Sequence, residues 1–547
     1  MANYIATDTD LTAVANAIRT KGGTSENLEF PSEFVTAIQN IPTGGSPAIG
    51  IDDTQDSAGG TIRTITAVSL AGDTVTAEHL ESGYTAHDAT GAEITGTMPA
   101  PSGPVGRSDV NFYDYDGTLV ASHTKAEINA MTSDSDLPAN PTHTGLTAQG
   151  WNWTVAQLKA QLTAMPNQPV DVGQMYITAS GDTEIDVVMQ ECRLSPILTL
   201  AVNGEVSVDW GDNTTPYTVT GTSLSAMVDA GPHTYASAGS YTIKIHVISG
   251  GFTFYNDSNN LLLRKNATRN ENRVYANCVQ NIRIGSGITV INQFAFAYCY
   301  SLETISIPSS VTSINGSAFY YCYSIASVTI PSGVTSVGSS VFSYCYSLAS
   351  VTIPNSVTSI EQYAFSYCYS LASVTIPRSV TSISNYALYY CHSLASITIP
   401  TNVTSIDNSA FYNCYSLASI TIPSDVTSIG AQAFYYCYSL ANVTIPSGVT
   451  SIGNSAFTYG YSLASITIPS SVTSIGTQAF YNCYGIAEYH FQRTTPPTLS
   501  NANTFTGIVS DCIMYVPYSA DHSVLNAYKT ASNWSNYASY MQEEPAS

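Results

Sequence analysis

The residues with the greatest potential for chemistry in this chain are its cysteines. Of 11 cysteines, eight follow one spacing of 23 residues. These eight are Cys299, Cys322, Cys345, Cys368, Cys391, Cys414, Cys437 and Cys483. Structural zinc sites use thiolates at short spacings such as C-x2-C, which this sequence lacks. The fixed interval instead predicts reduced thiols buried at equivalent places in stacked units, with Gly460 at the one missing place, and we expect neither a metal site nor a cofactor.

Tyrosines flank these cysteines on both sides and form two rows. The row after the cysteine, called the first tyrosine row, contains Tyr300, Tyr323, Tyr346, Tyr369, Tyr415, Tyr438, Tyr461 and Tyr484, with His392 interrupting it. The row before the cysteine, called the second tyrosine row, contains Tyr298, Tyr321, Tyr344, Tyr367, Tyr390, Tyr436 and Tyr459. A phenol couples a rigid apolar ring with a hydrogen-bonding tip, which suits sugar rings or protein partners. Two interpretations stay open: the rows bind a receptor, or the rings stack on each other and shield the turn.

A repeating element must position these side chains. The unit that starts at Cys345 reads CYSLASVTIPNSVTSIEQYAFSY. Besides the cysteines, its recurrent core positions are represented by Leu348, Ile353 and Phe365. One unit buries too few apolar groups to offset the loss of backbone entropy, so neighbouring units must stack on it. Residues 299–483 are therefore predicted to form a solenoid.

Each unit is predicted to contain one strand and one turn. Alternation over residues 350–353 predicts a short strand with Ser350 and Thr352 facing outward, and stacking predicts a continuous parallel sheet. Ala364 and Phe365 favour a short helical turn on the opposite wall. A degenerate opening unit near residues 276–291 and a polar-faced closing cap are expected at the ends.

This array resembles the BspA-like leucine-rich repeats of bacterial, phage and protist surface proteins, with their A-F-x-x-C-x-x-L-x-x-I-x-I-P-x-x-V-x-x-I signature. The resemblance implies the fold of the array and does not imply a ligand. This sequence departs from the family pattern at the tyrosines, because the family usually has small or polar residues beside the cysteine.

Charge and hydropathy exclude several classes of function. Sixteen Lys and Arg against 39 Asp and Glu give a net charge of -23, which repels phosphate backbones, so no nucleic-acid partner is expected. The sequence has no run of 18 apolar residues, so membrane insertion is not expected. The first twenty residues lack the apolar segment of a secretory signal, which favours synthesis in the cytoplasm.

The fold class predicted for the chain is multidomain and mainly β. Small α/β modules are predicted at the N-terminal end: residues 1–45 are predicted to form a helical module, residues 46–104 a small β module with a linker, and residues 105–167 a small module like those of tail proteins. Residues 168–258 are predicted to form an immunoglobulin-like sandwich, residues 259–492 the solenoid and residues 493–547 its cap. Residues 18–24 and 83–98 resemble short modules of phage and prophage tail proteins, which implies attachment to tail or baseplate proteins.

Residues 110–119, V-N-F-Y-D-Y-D-G-T-L, resemble the haloacid-dehalogenase phosphatase motif. The resemblance implies Asp114 as nucleophile and Asp116 as acid/base. That chemistry needs a larger domain than the 60 or so residues available here, and Asp116-Gly117 also suits a hairpin turn, which is the interpretation we favour. Residues 143–158 resemble another tail-protein module, in which Trp151 and Trp153 are expected in the core more than in a ligand platform.

Residues 208–214, V-D-W-G-D-N-T, and residues 233–243, H-T-Y-A-S-A-G-S-Y-T-I, resemble the polycystic-kidney-disease (PKD) repeat. The resemblance implies an immunoglobulin-type sandwich that acts as a spacer or a sugar contact. Asp209 and Asp212 have two interpretations, calcium ligands or turn-capping acids, and turn capping is the commoner role.

No catalytic constellation is found, so the chain is predicted not to be an enzyme. The leading hypothesis is a phage or prophage tail fibre or receptor-binding protein, located on the virion tail, whose solenoid recognises a host cell-surface glycan or protein. The alternative is a bacterial cell-surface adhesin of the same repeat family, and a glycan-acting or phosphatase-like enzyme is the third. A homotrimer is compatible with a tail fibre, although the sequence contains no coiled-coil heptad.

Overall fold

The computed structural model describes residues 49–55, 61–67, 85–87, 93–95, 109–165, 168–191, 193–254, 262–265 and 275–545. The chain forms two compact units, Met1–Gly106 and Arg107–Ser547. In the first unit, β1 (Ile49–Gln55) pairs antiparallel with β2 (Thr61–Ala67), and β3 (Thr85–His87) pairs antiparallel with β4 (Glu93–Thr95). The helical module predicted for residues 1–45 and the motif at residues 18–24 lie outside the described residues.

The second unit begins with a small α/β module. Its strands are β5 (Val110–Tyr113), β6 (Leu119–His123), β7 (Leu146–Trp151) and β8 (Val170–Thr178), in the order β6-β5-β8-β7. Its helices are α1 (Lys125–Ala130), α2 (Val155–Ala164) and a 3-10 turn (Asp134–Asp136). Capping boxes start α1 at Thr124 and α2 at Thr154. Trp151 and Trp153 are both buried in the core of this module. The predicted domain boundary after residue 167 falls just before β8, which pairs with β5 and β7 in this module's sheet.

A mainly antiparallel sheet follows and runs directly into the repeats. It contains β9 (Thr183–Met189), β10 (Ile197–Asp209), β11 (Tyr217–Ala230), β12 (Gly239–Phe254), β13 (Leu263–Arg264) and β14 (Val279–Arg283). β14 pairs antiparallel with β9 and parallel with β16 (Thr304–Ser306), the first member of one of the two strand rows of the repeats. The opening edge of that row is therefore covered by a neighbouring sheet, and its backbone groups are paired.

The repeats form a parallel solenoid with two rows of strands. The first strand row contains β16, β18 (Ser327–Thr329), β20 (Ser350–Thr352), β23 (Ser396–Thr398), β25 (Ser419–Thr421), β27 (Asn442–Thr444), β29 (Ser465–Ile468) and β31 (Glu488–Phe491). The second strand row contains β15 (Val290–Ile291), β17 (Ser313–Ile314), β19 (Ser336–Val337), β21 (Ser359–Ile360), β22 (Ser382–Ile383), β24 (Ser405–Ile406), β26 (Ser428–Ile429), β28 (Ser451–Ile452), β30 (Ser474–Ile475) and β32 (Thr498–Leu499). Equivalent residues pair in register, as Val328 does with Val351. The mainly β architecture with a C-terminal parallel solenoid is confirmed.

Two details differ from the prediction. The continuous ten-stranded sheet is the second strand row, whereas the first strand row is divided into shorter sheets. The predicted helical turn at Ala364 and Phe365 is instead a run of turns, because Tyr363 and Tyr367 adopt positive φ angles of 59° and 61°. These two residues donate their amide hydrogens to the next repeat, whereas the amide of Ala364 bonds back to Glu361 within its own. In a helix these amides would form hydrogen bonds only within their own repeat. The observed turns instead let them form hydrogen bonds to the next repeat, which stabilises the stack.

The C-terminal segment continues both strand rows and closes the stack. β32 ends the second strand row, while β33 (Ile513–Val516) and β34 (Met541–Glu543) extend the sheet that contains β31. Helix α3 (Ser523–Thr530) and a 3-10 helix (Trp534–Tyr540) pack over the last repeat. The indole of Trp534 is fully buried and donates a hydrogen bond to the carbonyl of Pro497 at 2.7 Å.

The small α/β module packs on the first strand row. The amide of Asn152 donates to the carbonyl of Ile330 at 3.0 Å, and the indole of Trp153 donates to the carbonyl of Ile353 at 3.1 Å. The hydroxyl of Thr375 donates to the carbonyl of Pro169 at 3.0 Å. Backbone carbonyls beside the first strand row and the hydroxyl of Thr375 are therefore the groups that hold this module.

Candidate recognition site on the tyrosine-rich edge

The second tyrosine row occupies a backbone position of unusual conformation. Every member has a positive φ, from 60° at Tyr436 to 66° at Tyr298. This left-handed region costs an L-residue about 1 to 2 kcal/mol, and asparagine tolerates it better than most residues. Asn413 and Asn482 occupy the two places in this row where tyrosine is absent, at 59° and 55°. The exchange of tyrosine for asparagine was the sequence signal for this conformation, and the sequence analysis missed it.

Rings of the first tyrosine row stack on each other along the solenoid. Tyr323 and Tyr346 lie 4.6 Å apart between ring centroids, and Tyr346 and Tyr369 lie 4.8 Å apart with an interplanar angle of 2°. The imidazole of His392 stacks between its neighbours at 4.6 and 4.5 Å. The stack of rings therefore continues through the place where the sequence of tyrosines is interrupted, because a flat imidazole ring replaces a phenol there.

Stacking determines which parts of the rings can meet a partner. In the second tyrosine row, Tyr321, Tyr344 and Tyr367 are stacked at 4.3 Å, and this row meets the first at nearly right angles. The ring faces inside each row are therefore covered by neighbouring rings, which leaves edges and hydroxyl groups along the surface. Exposure rises at the C-terminal end, to 42% at Tyr461 and 51% at Tyr484.

Three phenols of this edge are held in their neutral form by their surroundings. Burial, reinforced by the neighbouring phenols, raises the pKa of Tyr438 to about 12 and raises the pKa of Tyr346 and Tyr369 above the usual range. A neutral phenol both donates and accepts hydrogen bonds. These three tyrosines therefore present uncharged donors and acceptors throughout the physiological pH range.

A third tyrosine row, which the sequence analysis missed, lies two residues before each cysteine. Its positions hold Tyr320, Ser343, Ser366, Tyr389, Tyr412, Tyr435, Thr458 and Tyr481. Tyr389, Tyr412 and Tyr435 stack at 4.8 Å. Two consecutive serines interrupt this row, and a cavity of about 380 Å³ lies there. The replacement of tyrosine by serine at a position that is tyrosine in most other repeats was the available sequence signal.

The repeat cysteines are buried and reduced, and from Cys322 to Cys483 each takes part in one recurring contact. The Sγ of Cys345 donates to the carbonyl of Phe319 at 3.3 Å, and Cys368 repeats this contact with Phe342 at 3.2 Å. Burial raises the pKa of these thiols well above the usual range. Leu348, Ile353 and Phe365 are fully buried beside them. The thiols therefore satisfy backbone carbonyls in the core.

The two aspartates of the phosphatase-like motif lie in a hairpin turn. The amide of Gly117 donates to the carbonyl of Asp114 at 3.0 Å, and the carboxylate of Asp116 accepts the amide of Thr118 at 2.9 Å. The Asp114 carboxylate is buried and binds the ring of His143 at 2.6 Å and the amide of Tyr115 at 2.8 Å. The hairpin interpretation is confirmed, and the Asp114 carboxylate is engaged on both oxygens.

The aspartates of the PKD-like motif also serve turns. Asp209 accepts the amide of Gly211 at 2.9 Å, and Asp212 accepts Thr214 and binds the ring of His233 at 2.9 Å. His233 in turn stacks on Trp210 at 4.7 Å. Among the residues that the structure describes, no group of three or more His, Cys, Asp or Glu side chains is placed to hold a metal ion. No helix in these described ranges is both long enough and apolar enough to cross a bilayer.

A stack of 23-residue turns with two parallel strand rows and a buried apolar core defines a leucine-rich repeat solenoid. Residues 249–372 and 358–487 match the model of the BspA type leucine rich repeat region. The chain belongs to this BspA-type leucine-rich repeat family.

Solved structures of other repeat proteins are similar to parts of the chain. A leucine-rich cell surface protein from Faecalibacterium prausnitzii is 32% identical over 47% of this chain and 78% of its own, with a TM-score of 0.32. A leucine-rich repeat protein from T. pallidum is 33% identical over 28% of this chain and 72% of its own, with a TM-score of 0.27. The pneumococcal vaccine antigen PcpA is 17% identical over 47% of this chain and 76% of its own, with a TM-score of 0.31. No curated protein matches the chain.

Proposed function

We propose that this chain is a non-catalytic, adhesin-like surface recognition protein that presents the tyrosine-rich edge of its solenoid to a cell-surface glycan or protein. The observation that carries the proposal is the long series of stacked aromatic rings along the repeats, most of them phenols whose edges and hydroxyls line the surface. Rigid aromatic residues with hydrogen-bonding tips contribute binding energy at a small entropic cost. The description of the F. prausnitzii relative as a cell surface protein supports the surface location.

The test is binding of the labelled full chain to an array of bacterial surface glycans and surface proteins. A variant with Tyr346→Phe, Tyr369→Phe and Tyr438→Phe keeps the stacked rings and removes three hydroxyls, so we expect weaker binding at an unchanged melting temperature. The matched control carries Tyr217→Phe and Tyr518→Phe, two exposed tyrosines away from the edge, and should bind like the parent. Absence of binding by the parent chain would contradict the proposal.

The carrier of the recognition surface is a virion tail in our leading proposal. The resemblance of residues 18–24 and 83–98 to tail-protein modules supports attachment of the first hundred residues to tail or baseplate proteins. The PKD-like sheet then acts as a spacer. The alternative carrier is the surface of a bacterial cell, which the repeat family and the F. prausnitzii relative favour. Antibodies against the chain distinguish the two: they label the tails of purified virions in the first case and intact cells in the second.

A further inference from the structure

The cavity in the third tyrosine row has the dimensions of a ligand site. Its volume of about 380 Å³ lies within the range of about 300 to 1,000 Å³ that small-molecule pockets have. Ser343 and Ser366 stand where the row lacks rings, and their hydroxyls are hydrogen-bonded to each other at 2.7 Å. Tyr320 and Tyr389 line the two ends of the cavity. At a repeat spacing of about 4.8 Å, these two positions are about 14 Å apart.

One ring in the cavity lies at the end of a short stack. Tyr363 stacks on Tyr386 at 4.6 Å with an interplanar angle of 4°. One repeat earlier, the equivalent position is Ser340, which has nearly the same φ, 57° against 59° at Tyr363. The backbone there is therefore built to carry another ring, and the sequence provides a serine. The place of that missing ring is part of the cavity, since Ser340 and Tyr363 both line it.

The lining indicates the chemistry of the ligand. All nine lining residues are tyrosine or serine, so the cavity contains aromatic surface and hydroxyl groups and no charged side chain. A pyranose ring matches this combination, because its C–H face packs on a phenol and its hydroxyls exchange hydrogen bonds with Ser340 and the tyrosines. The hydroxyls of Ser343 and Ser366 are buried and bonded to each other, so they shape the floor of the cavity. A chain with a net charge of -23 repels anionic sugars.

We propose that this cavity binds one neutral pyranose unit of a surface glycan, which stacks on Tyr363 in the place that a ring at Ser340 would occupy. The sugar thus adds a third ring to the short stack of Tyr363 and Tyr386. It lies in the cavity beside Ser343 and Ser366, where the third tyrosine row lacks rings. This proposal rests on the proposed surface recognition and names its ligand class.

Titration of the full chain with small saccharides tests the proposal. The probes are methyl glycosides of glucose, galactose, mannose and N-acetylglucosamine and the anionic control galacturonic acid, followed by saturation-transfer NMR. At least one neutral glycoside should bind, and galacturonic acid should not. Ser340→Tyr adds the missing ring at a conformation that Tyr363 already adopts, so it should fill the cavity and weaken binding by about tenfold or more without lowering the melting temperature.

Matched variants separate the cavity from general effects. Ser455→Tyr makes the same substitution at the same place five repeats later, at a φ of 54°, and should bind like the parent. Tyr363→Phe should retain binding, whereas Tyr363→Ser should lose it. Binding that survives Ser340→Tyr, or that favours galacturonic acid or a peptide, overturns the cavity proposal. If neutral glycosides bind but the chain binds nothing on the array of surface molecules, the cavity proposal is supported and the proposed recognition function is contradicted. If the chain binds the array but no neutral glycoside, the recognition function is supported and the cavity proposal is contradicted.

Discussion

The first strand row of the solenoid is covered by another part of the chain in its early repeats and open in its later repeats. Thr329, Thr352 and Thr375 are 6%, 3% and 3% exposed beneath the small α/β module. Thr421 and Thr444, at the same position of later repeats, are exposed. The two regions have the same side chains in the same pairing, so the difference lies entirely in what packs on them. A row of hydroxyls on a flat sheet is thus equally suited to water and to the polar groups of another protein layer.

The largest expected effect is the loss of stability when the core is truncated. It tests whether the small α/β module changes the core of the repeats beneath it. Ile376→Ala in the covered region and Ile422→Ala in the open region each remove a buried side chain, with exposures of 1% and 4%. Each should lower the free energy of unfolding by about 2 to 5 kcal/mol, because a cavity remains in the core. Urea denaturation measures both. If one of the two losses in free energy of unfolding lies outside this range, the small α/β module changes the stability of the repeats beneath it. The covered and open regions would then differ in their cores as well as in what packs on them.

The next prediction separates the cover from the strand row. A Cβ at Gly173 would lie 2.3 Å from the hydroxyl oxygens of both Thr329 and Thr352. Gly173→Ala should therefore cost about 1 to 3 kcal/mol in the free energy of unfolding, as overpacked interfaces do. Gly239→Ala, whose Cβ would meet nothing closer than 3.6 Å, is the control. Equal stability of the two variants would show that the module does not press on the repeats.

Removal of a single threonine hydroxyl compares the covered and open regions at one position of the repeat. Thr352 accepts a hydrogen bond from the amide of Asn152 at 3.2 Å, so Thr352→Val should cost about 1 kcal/mol. Thr421→Val changes an exposed residue at the same position and should stay within about 0.5 kcal/mol of the parent. Thermal denaturation of both variants provides the measurement, and a larger effect at Thr421 would reverse the interpretation.

The smallest effect concerns the closing end of the row, where charges replace hydroxyls. Burial by itself lowers the pKa of His490, but hydrogen bonds to Glu544 at 2.7 Å and Glu488 at 3.2 Å raise it above the usual value. A raised pKa in the folded state stabilises the protein below the unfolded pKa of about 6.5, and this contribution is lost as pH rises through the folded value. Melting temperatures should therefore fall slightly from pH 6 to pH 8, and His490→Asn should remove the part of this fall that comes from His490. An unchanged slope in that variant would contradict the assignment.

Much of the fold was predictable because the same pattern of apolar residues recurs in every repeat. The spacing of the cysteines indicated the stack, and Leu348, Ile353 and Phe365 are buried as their periodicity indicated. The helical turn was predicted wrongly, because residues such as Tyr363 and Tyr367 adopt a left-handed conformation that few residues favour alone. Their amides are satisfied by the next repeat, so the conformation exists only in the stack.

The candidate site was predictable only in part. The two tyrosine rows beside the cysteine were visible as a pattern, but the covering of their ring faces follows from a repeat spacing that brings equivalent rings of adjacent turns within stacking distance. The cavity at Ser343 and Ser366 was not predicted, because a serine in a repeat reads as an ordinary polar residue until its neighbours in adjacent turns are known.

The amino-acid sequence by itself determined the period of the solenoid and the identity of its core, because every turn supplies the same apolar side chains at the same interval. The tertiary structure alone decided which outward hydroxyls meet water and which meet Asn152, Trp153 and Gly173. These partners lie about two hundred residues away along the chain from the strands they cover. Burial is a property of both layers in contact, and no local pattern within one repeat encodes the second layer.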